Sequence, residues 1–149
     1  SKIQVCSYTD LTFDEKNLVD MAKKAVNRAY APYSHFQVGA AVLLANGEIV
    51  VGSNQENVAY PSGLCAERTA LFYANSQFPD TPVEAIAVAA YTNGDYTDDP
   101  VPPCGSCRQV ILETQNRYAH PVKILLCGKN EIYCVPSIAE LLPLSFQHL

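Results

Sequence analysis

Residues 85–91 read Ala85-Ile86-Ala87-Val88-Ala89-Ala90-Tyr91, a continuous apolar run. A run of this length matches a β-strand covered on both faces, because a strand with one wet face alternates apolar and polar side chains. Covering both faces of a sheet calls for helices on each side of it. The flanking sequence supplies them. Thr12-Phe13-Asp14-Glu15 has the form of a capping box, and Leu18, Met21, Ala22, Ala25, Val26 and Ala29 follow at helical spacing before Pro32. The spacing predicts further helices near 64–74, from about Cys104 onward, and at 138–142. Strands are predicted at 36–44, 48–53, 85–91, 122–127 and 132–135, the first two joined at Asn46-Gly47, a hairpin signal. The segment from Tyr91 to Asp99, with Asp95, Asp98 and Asp99, reads as an acidic, solvated loop. The order α-β-β-α-β-α-β-β-α gives an α/β chain: a three-layer α/β/α sandwich around about five strands.

With 149 residues, 48% of them apolar, the chain is expected to form one domain spanning 1–149. Charged residues are only 17%, which suggests surface buried against other subunits. Ten Lys and Arg against a net charge of −5 exclude a broad basic track for polynucleotides. The apolar runs are far shorter than a membrane helix needs. Ser1 to Val5 shows no signal-peptide core, so a cytoplasmic location is expected.

The six cysteines are unevenly placed. Cys6, Cys127 and Cys134 are expected to be small buried hydrophobes. Cys65, Cys104 and Cys107 stand in polar, Pro/Gly-rich settings. Cys104-Gly105-Ser106-Cys107 begins a predicted helix, as does Cys65, and helix N-termini favour thiolates. Two such termini converging would bring three sulfurs together. Three thiolates bind Zn²⁺ and leave a fourth position open, while His35, His120 and His148 all lie away from these motifs. Glu67 follows Cys65 by two residues. It is read as a general acid/base rather than a ligand, since that offset turns it away from the sulfur. Zinc with three thiolates carries an excess negative charge. Arg68 and Arg108 each follow a cysteine motif, and Arg68 is taken as the compensating group.

Cys65-Ala66-Glu67 with Pro103-Cys104-Gly105-Ser106-Cys107 resembles the signature of zinc nucleoside deaminases. Tyr33-Ser34-His35-Phe36-Gln37-Val38-Gly39, Asn54-Gln55-Glu56-Asn57, Tyr60-Pro61 and Leu141-Leu142-Pro143-Leu144-Ser145-Phe146 extend the resemblance to cytidine deaminases over nearly the whole chain. The resemblance implies a five-stranded mixed sheet and hydrolysis of cytidine and deoxycytidine to uridine and deoxyuridine with release of ammonia. It implies one Zn²⁺ per subunit held by Cys65, Cys104 and Cys107, with Glu67 as proton shuttle. Phe36 is expected against the base, the Ala66 backbone N–H at the base O2, and Asn54 and Glu56 on the ribose. Tyr60 and Phe146 are expected to reach a neighbouring subunit's pocket in a homotetramer. The partner is a small nucleoside, with neither nucleic-acid polymer nor membrane. Two alternatives stand beside this reading: deamination of another aminated heterocycle such as blasticidin S, and a non-catalytic zinc-stabilised binding module.

Overall fold

The computed structural model describes all 149 residues. Five long strands form the body of one mixed sheet: β2 (Gln37–Leu44), β3 (Ile49–Ser53), β4 (Val83–Thr92), β6 (Lys123–Cys127) and β7 (Ile132–Val135). Two short strands complete it, β1 (Gln4–Cys6) and β5 (Asp95–Tyr96). The order is β1-β7-β6-β4-β2-β3, with β5 paired to β4. The β4–β6 pair is parallel and the others are antiparallel.

The central strand explains the layering. Ala85, Ala87 and Ala89 of β4 point into one core with Leu18, Val19, Ala22 and Val26, most of them from helix α1 (Phe13–Ala25). Ile86 and Val88 point to the opposite core, against helices α2 (Ala66–Gln77) and α3 (Gly105–Tyr118). Small residues face α1 and larger ones face the helix pair, so one apolar run serves both layers. The capping box forms as expected: Thr12 Oγ1 accepts from Glu15 N–H at 3.2 Å, and Glu15 Oε1 accepts from Thr12 N–H at 2.9 Å. Glu15 also pairs with Lys123, tying the start of α1 to β6.

Three expectations need correction. The sheet has seven strands rather than five, because β1 and β5 were not foreseen. The acidic segment after Tyr91 begins as a hairpin, and only Thr97 to Asp99 is loop, with Asp98 and Asp99 exposed. Asn93 (φ 53°) and Gly94 (φ 83°) form its two-residue turn, and Asp95 pairs with Lys129. The helix expected at 138–142 is a single 3₁₀ turn, Ile138–Glu140, capped by Ser137 through Ala139 N–H. Cys127 and Cys134 are buried and Cys6 is half-buried, all on the α1 side of the sheet. No helix is long and apolar enough to cross a membrane.

Two glycines set how closely the helices approach. A Cβ on Gly39 would meet the Ala22 carbonyl oxygen of α1 at 2.2 Å, and one on Gly52 would meet the Ala70 nitrogen of α2 at 2.6 Å. Gly52 thus seats the first turns of α2, where Glu67 lies, against β3. Gly52→Ala is expected to destabilise the fold by about 1–3 kcal/mol, read as a lower urea midpoint, and to reduce bound zinc.

Candidate metal centre and adjoining cavity

Helices α2 and α3 begin at the same end of the sheet and on the same face. Cys65 is the N-cap of α2 and Cys104 the N-cap of α3, both in extended backbone. Their carbonyls accept the first intrahelical bonds, from Thr69 and Arg108 N–H. Neither thiol caps its own helix, so each is free to point at the other terminus. The Sγ atoms of Cys65 and Cys104 are 3.8 Å apart, and those of Cys65, Cys104 and Cys107 all lie within 4.8 Å of one another. A tetrahedral zinc with Zn–S bonds of about 2.3 Å sets its sulfurs about 3.8 Å apart. The three-sulfur set fits zinc.

The thiols sit in a charged setting. The neighbouring Cys107 thiol lowers the Cys65 thiol to about 5, and Arg68 adds to that shift. Cys107 moves up, through Cys65 beside it and through its burial. Arg68 Nη2 donates to Cys65 Sγ at 3.4 Å. Arg108 turns away and donates to the carbonyls of Pro103 and Leu141, at 2.8 and 3.0 Å. Of the two arginines, Arg68 is therefore the one at the sulfurs.

Glu67 lies in the first turn of α2 with only 4% of its surface exposed. Burial pushes its carboxyl up to about 7, the Cys65 charge adding to that and the Cys107 thiol opposing it. It is not one of the clustered ligand groups. A carboxyl poised near neutrality can both take and return a proton. Ala66, also buried, is the first helical residue of α2, where N–H groups lack intrahelical partners.

Beside the cysteines lies a cavity of about 530 Å³, lined by Tyr33, Ser34, Asn54, Glu56, Tyr60 and Cys65 among others. It is built by backbone pairing. Gln55 exchanges N–H···O bonds of 2.9 Å with Leu64, joining the exit of β3 to the entry of α2. Tyr30 N–H bonds to Asn54 and Glu56 N–H to Tyr30, both at 2.9 Å. Asn54 and Glu56 line the wall while also serving the chain itself. Asn54 Oδ1 accepts from Val38 N–H and Nδ2 donates to the Phe36 carbonyl, each at 2.8 Å. Glu56 Oε1 accepts from the N–H groups of Tyr33 and Ser34, and Oε2 accepts from Ser34 Oγ.

Phe36, Ala66, Glu67 and Phe146 do not line this cavity. Phe36 is half-buried just before β2. Tyr60 is 76% exposed and meets Tyr33 edge-on, their ring centroids 6.2 Å apart. Phe146 is 66% exposed, its carbonyl accepting from Gln109 Nε2. Sequence reasoning missed the bond between Ser34 and Glu56. It also missed the role of Gln55, whose two backbone groups build the wall whatever side chain it carries.

Three thiolates leave a tetrahedral zinc one position short, and the buried Glu67 carboxyl stands beside them. That donor set marks a catalytic zinc enzyme rather than a structural zinc knot. Residues 13–120 match the family model of the cytidine and deoxycytidylate deaminase zinc-binding region. The chain is 50% identical over 100 residues to the cytidine deaminase of Halalkalibacterium halodurans, covering 67% of this chain and 71% of that one. It is 44% identical over 133 residues to that of Sporosarcina psychrophila, covering 89% and 91%. The crystal structure of cytidine deaminase from Burkholderia pseudomallei superposes with a TM-score of 0.76 at 38% identity, over 91% of this chain and all (100%) of that one. That from Mycobacterium tuberculosis gives 0.71 at 33%, over 92% and 100%. The chain belongs to the cytidine and deoxycytidylate deaminase family, and its cofactor is zinc.

Proposed function

We propose that this chain hydrolyses cytidine and 2′-deoxycytidine to the corresponding uridines with release of ammonia. The observation that carries this reading is the three-sulfur cluster at two helix N-termini with the buried Glu67 carboxyl next to it. Cys65, Cys104 and Cys107 hold the zinc, which when bound lowers the pKa of water so that attack at C4 proceeds near neutral pH. Glu67 accepts the proton of that water, delivers it to N3 of the base, and later helps protonate the departing amine. The N–H of Ala66 donates to the base O2. Phe36 packs on the base, and Asn54 and Glu56 grip the ribose 3′-hydroxyl. Arg68 draws negative charge from Cys65 and so keeps the metal electrophilic. Arg68→Gln is expected to retain zinc but lower kcat about tenfold, the loss of one hydrogen bond to a charged group, measured by steady-state kinetics with metal analysis.

The whole chain is read as one catalytic domain working in the cytoplasm as a homotetramer. Exposed apolar side chains at Tyr60, Val58, Leu144 and Phe146 support an assembly in which neighbours complete each site. The test is the ultraviolet change when the zinc-loaded protein meets cytidine. Conversion to uridine is expected. A fully loaded, folded protein inert toward cytidine but active on blasticidin S would move the assignment to that heterocycle.

A further inference from the structure

The segment Tyr33–Phe36 borders the cavity and is tied down along its length. His35 adopts φ 56°, the left-handed region, and its carbonyl accepts from Thr92 Oγ1 at 3.0 Å. Between Tyr33 and His35 the Ser34 hydroxyl works twice. It accepts from Phe36 N–H at 3.1 Å, closing a turn, and it donates to Glu56 Oε2.

A carboxylate offers about four lone-pair positions. On Glu56, Oε1 spends its two on the N–H groups of Tyr33 and Ser34, and Oε2 spends one on Ser34 Oγ. One acceptor position remains, on Oε2. Asn54, on the same cavity wall, has one Nδ2 hydrogen committed to Phe36 and one still to give. A single hydroxyl can satisfy both groups, donating to Glu56 and accepting from Asn54.

We propose that Ser34 is a positioning residue for ribose recognition: its hydroxyl locks the Glu56 carboxylate so that one Oε2 acceptor position is left for one donor hydroxyl of the sugar. The proposal rests on the reading above that Glu56 binds ribose. The Ser34 bond is also the largest influence holding the Glu56 carboxyl below its ordinary range. With three donors already on it, the carboxylate is set to accept from the sugar, and a sugar carbon without a hydroxyl proton is discriminated against. Without the Ser34 hydroxyl, Oε2 loses its fixed partner and Phe36 N–H loses the acceptor that shapes the turn.

Steady-state kinetics on the zinc-loaded enzyme test this with Ser34→Ala, Ser34→Thr, Glu56→Gln and the Ser34→Ala/Glu56→Gln double variant, on cytidine and 3′-deoxycytidine. Ser34→Ala is expected to raise KM for cytidine about tenfold with little change in kcat, the scale of one hydrogen bond to a charged group. Ser34→Thr, which keeps the hydroxyl, is expected to restore KM. The Ser34→Ala effect should be several-fold smaller on 3′-deoxycytidine and in the Glu56→Gln background, the remainder being the lost Phe36 N–H bond. Equal losses on both nucleosides, or additive losses in the double variant, would overturn the relay while leaving Glu56 as a ribose binder. A Glu56→Gln enzyme with unchanged KM for cytidine would overturn the ribose reading itself, and the Ser34 proposal with it.

Discussion

Glu67→Gln is expected to lower kcat by about 10²–10⁴-fold, the usual contribution of a positioned general acid/base, with zinc content and fold retained. The argument is geometric. Glu67 is buried in the first turn of α2, outside the sulfur cluster, so its replacement removes no ligand. Gln has nearly the same shape, so the packing of α2 on Gly52 is undisturbed. What disappears is the capacity to carry a proton, since an amide neither accepts one near neutrality nor returns it. Parallel metal analysis and circular dichroism separate the outcomes. A variant with bound zinc and near-normal kcat would remove Glu67 from the chemistry. A variant that loses its metal would make the carboxylate part of the ligand set.

Cys104→Ala is expected to abolish turnover within detection and to empty the site of zinc, yet leave the chain folded. Cys104 is the exposed member of the trio, at the N-cap of α3. Removing it leaves two thiolates, too few for a stable tetrahedral site. Small zinc domains unfold without their metal because the metal is their core. This chain has two apolar cores of 18 and 13 buried residues, one on each face of the sheet, and neither needs zinc to form. The expected cost is therefore the linkage term alone, about 4 kcal/mol where free zinc stands a thousandfold above Kd. Differential scanning calorimetry with and without a chelator measures it. Wild-type and variant protein should melt together once zinc is stripped. A variant that is unfolded at room temperature would show that the metal carries the fold.

Much of this architecture is legible in the residues. The β4 run, the capping box of α1, the Asn46-Gly47 hairpin and the placing of Cys65 and Cys104 at helix starts all follow from local chemistry, and local chemistry is what a sequence displays. The features that escaped are those set by distant partners. Strand β1 is three residues long and carries no pattern of its own; it exists because β7, at the other end of the chain, offers Cys134, Tyr133 and Ile132 as an edge. Strand β5 is two residues long, and its turn signal at Asn93-Gly94 is visible without saying what the turn joins. At the site, residue types pointed to the sulfurs, to Glu67 and to Arg68. They did not reveal that Asn54 and Glu56 spend half of their side-chain hydrogen-bonding capacity on the Phe36–Val38 and Tyr33–Ser34 backbone. A polar side chain's partners depend on folded geometry, and residue identity does not specify them.

Gly39 and Gly52 lie on adjacent strands, offset by one rung: Gly39 pairs with Ser53, and Ala40 with Gly52. One has α1 seated directly on it and the other α2. At this place main chain rests on main chain, with no side-chain layer to act as a cushion. The start of α2, and with it Cys65 and Glu67, is thus referenced to the sheet by hard contact. The arrangement works like a machinist's datum surface: the end of α2 that carries Cys65 and Glu67 is located by direct backbone contact with β3.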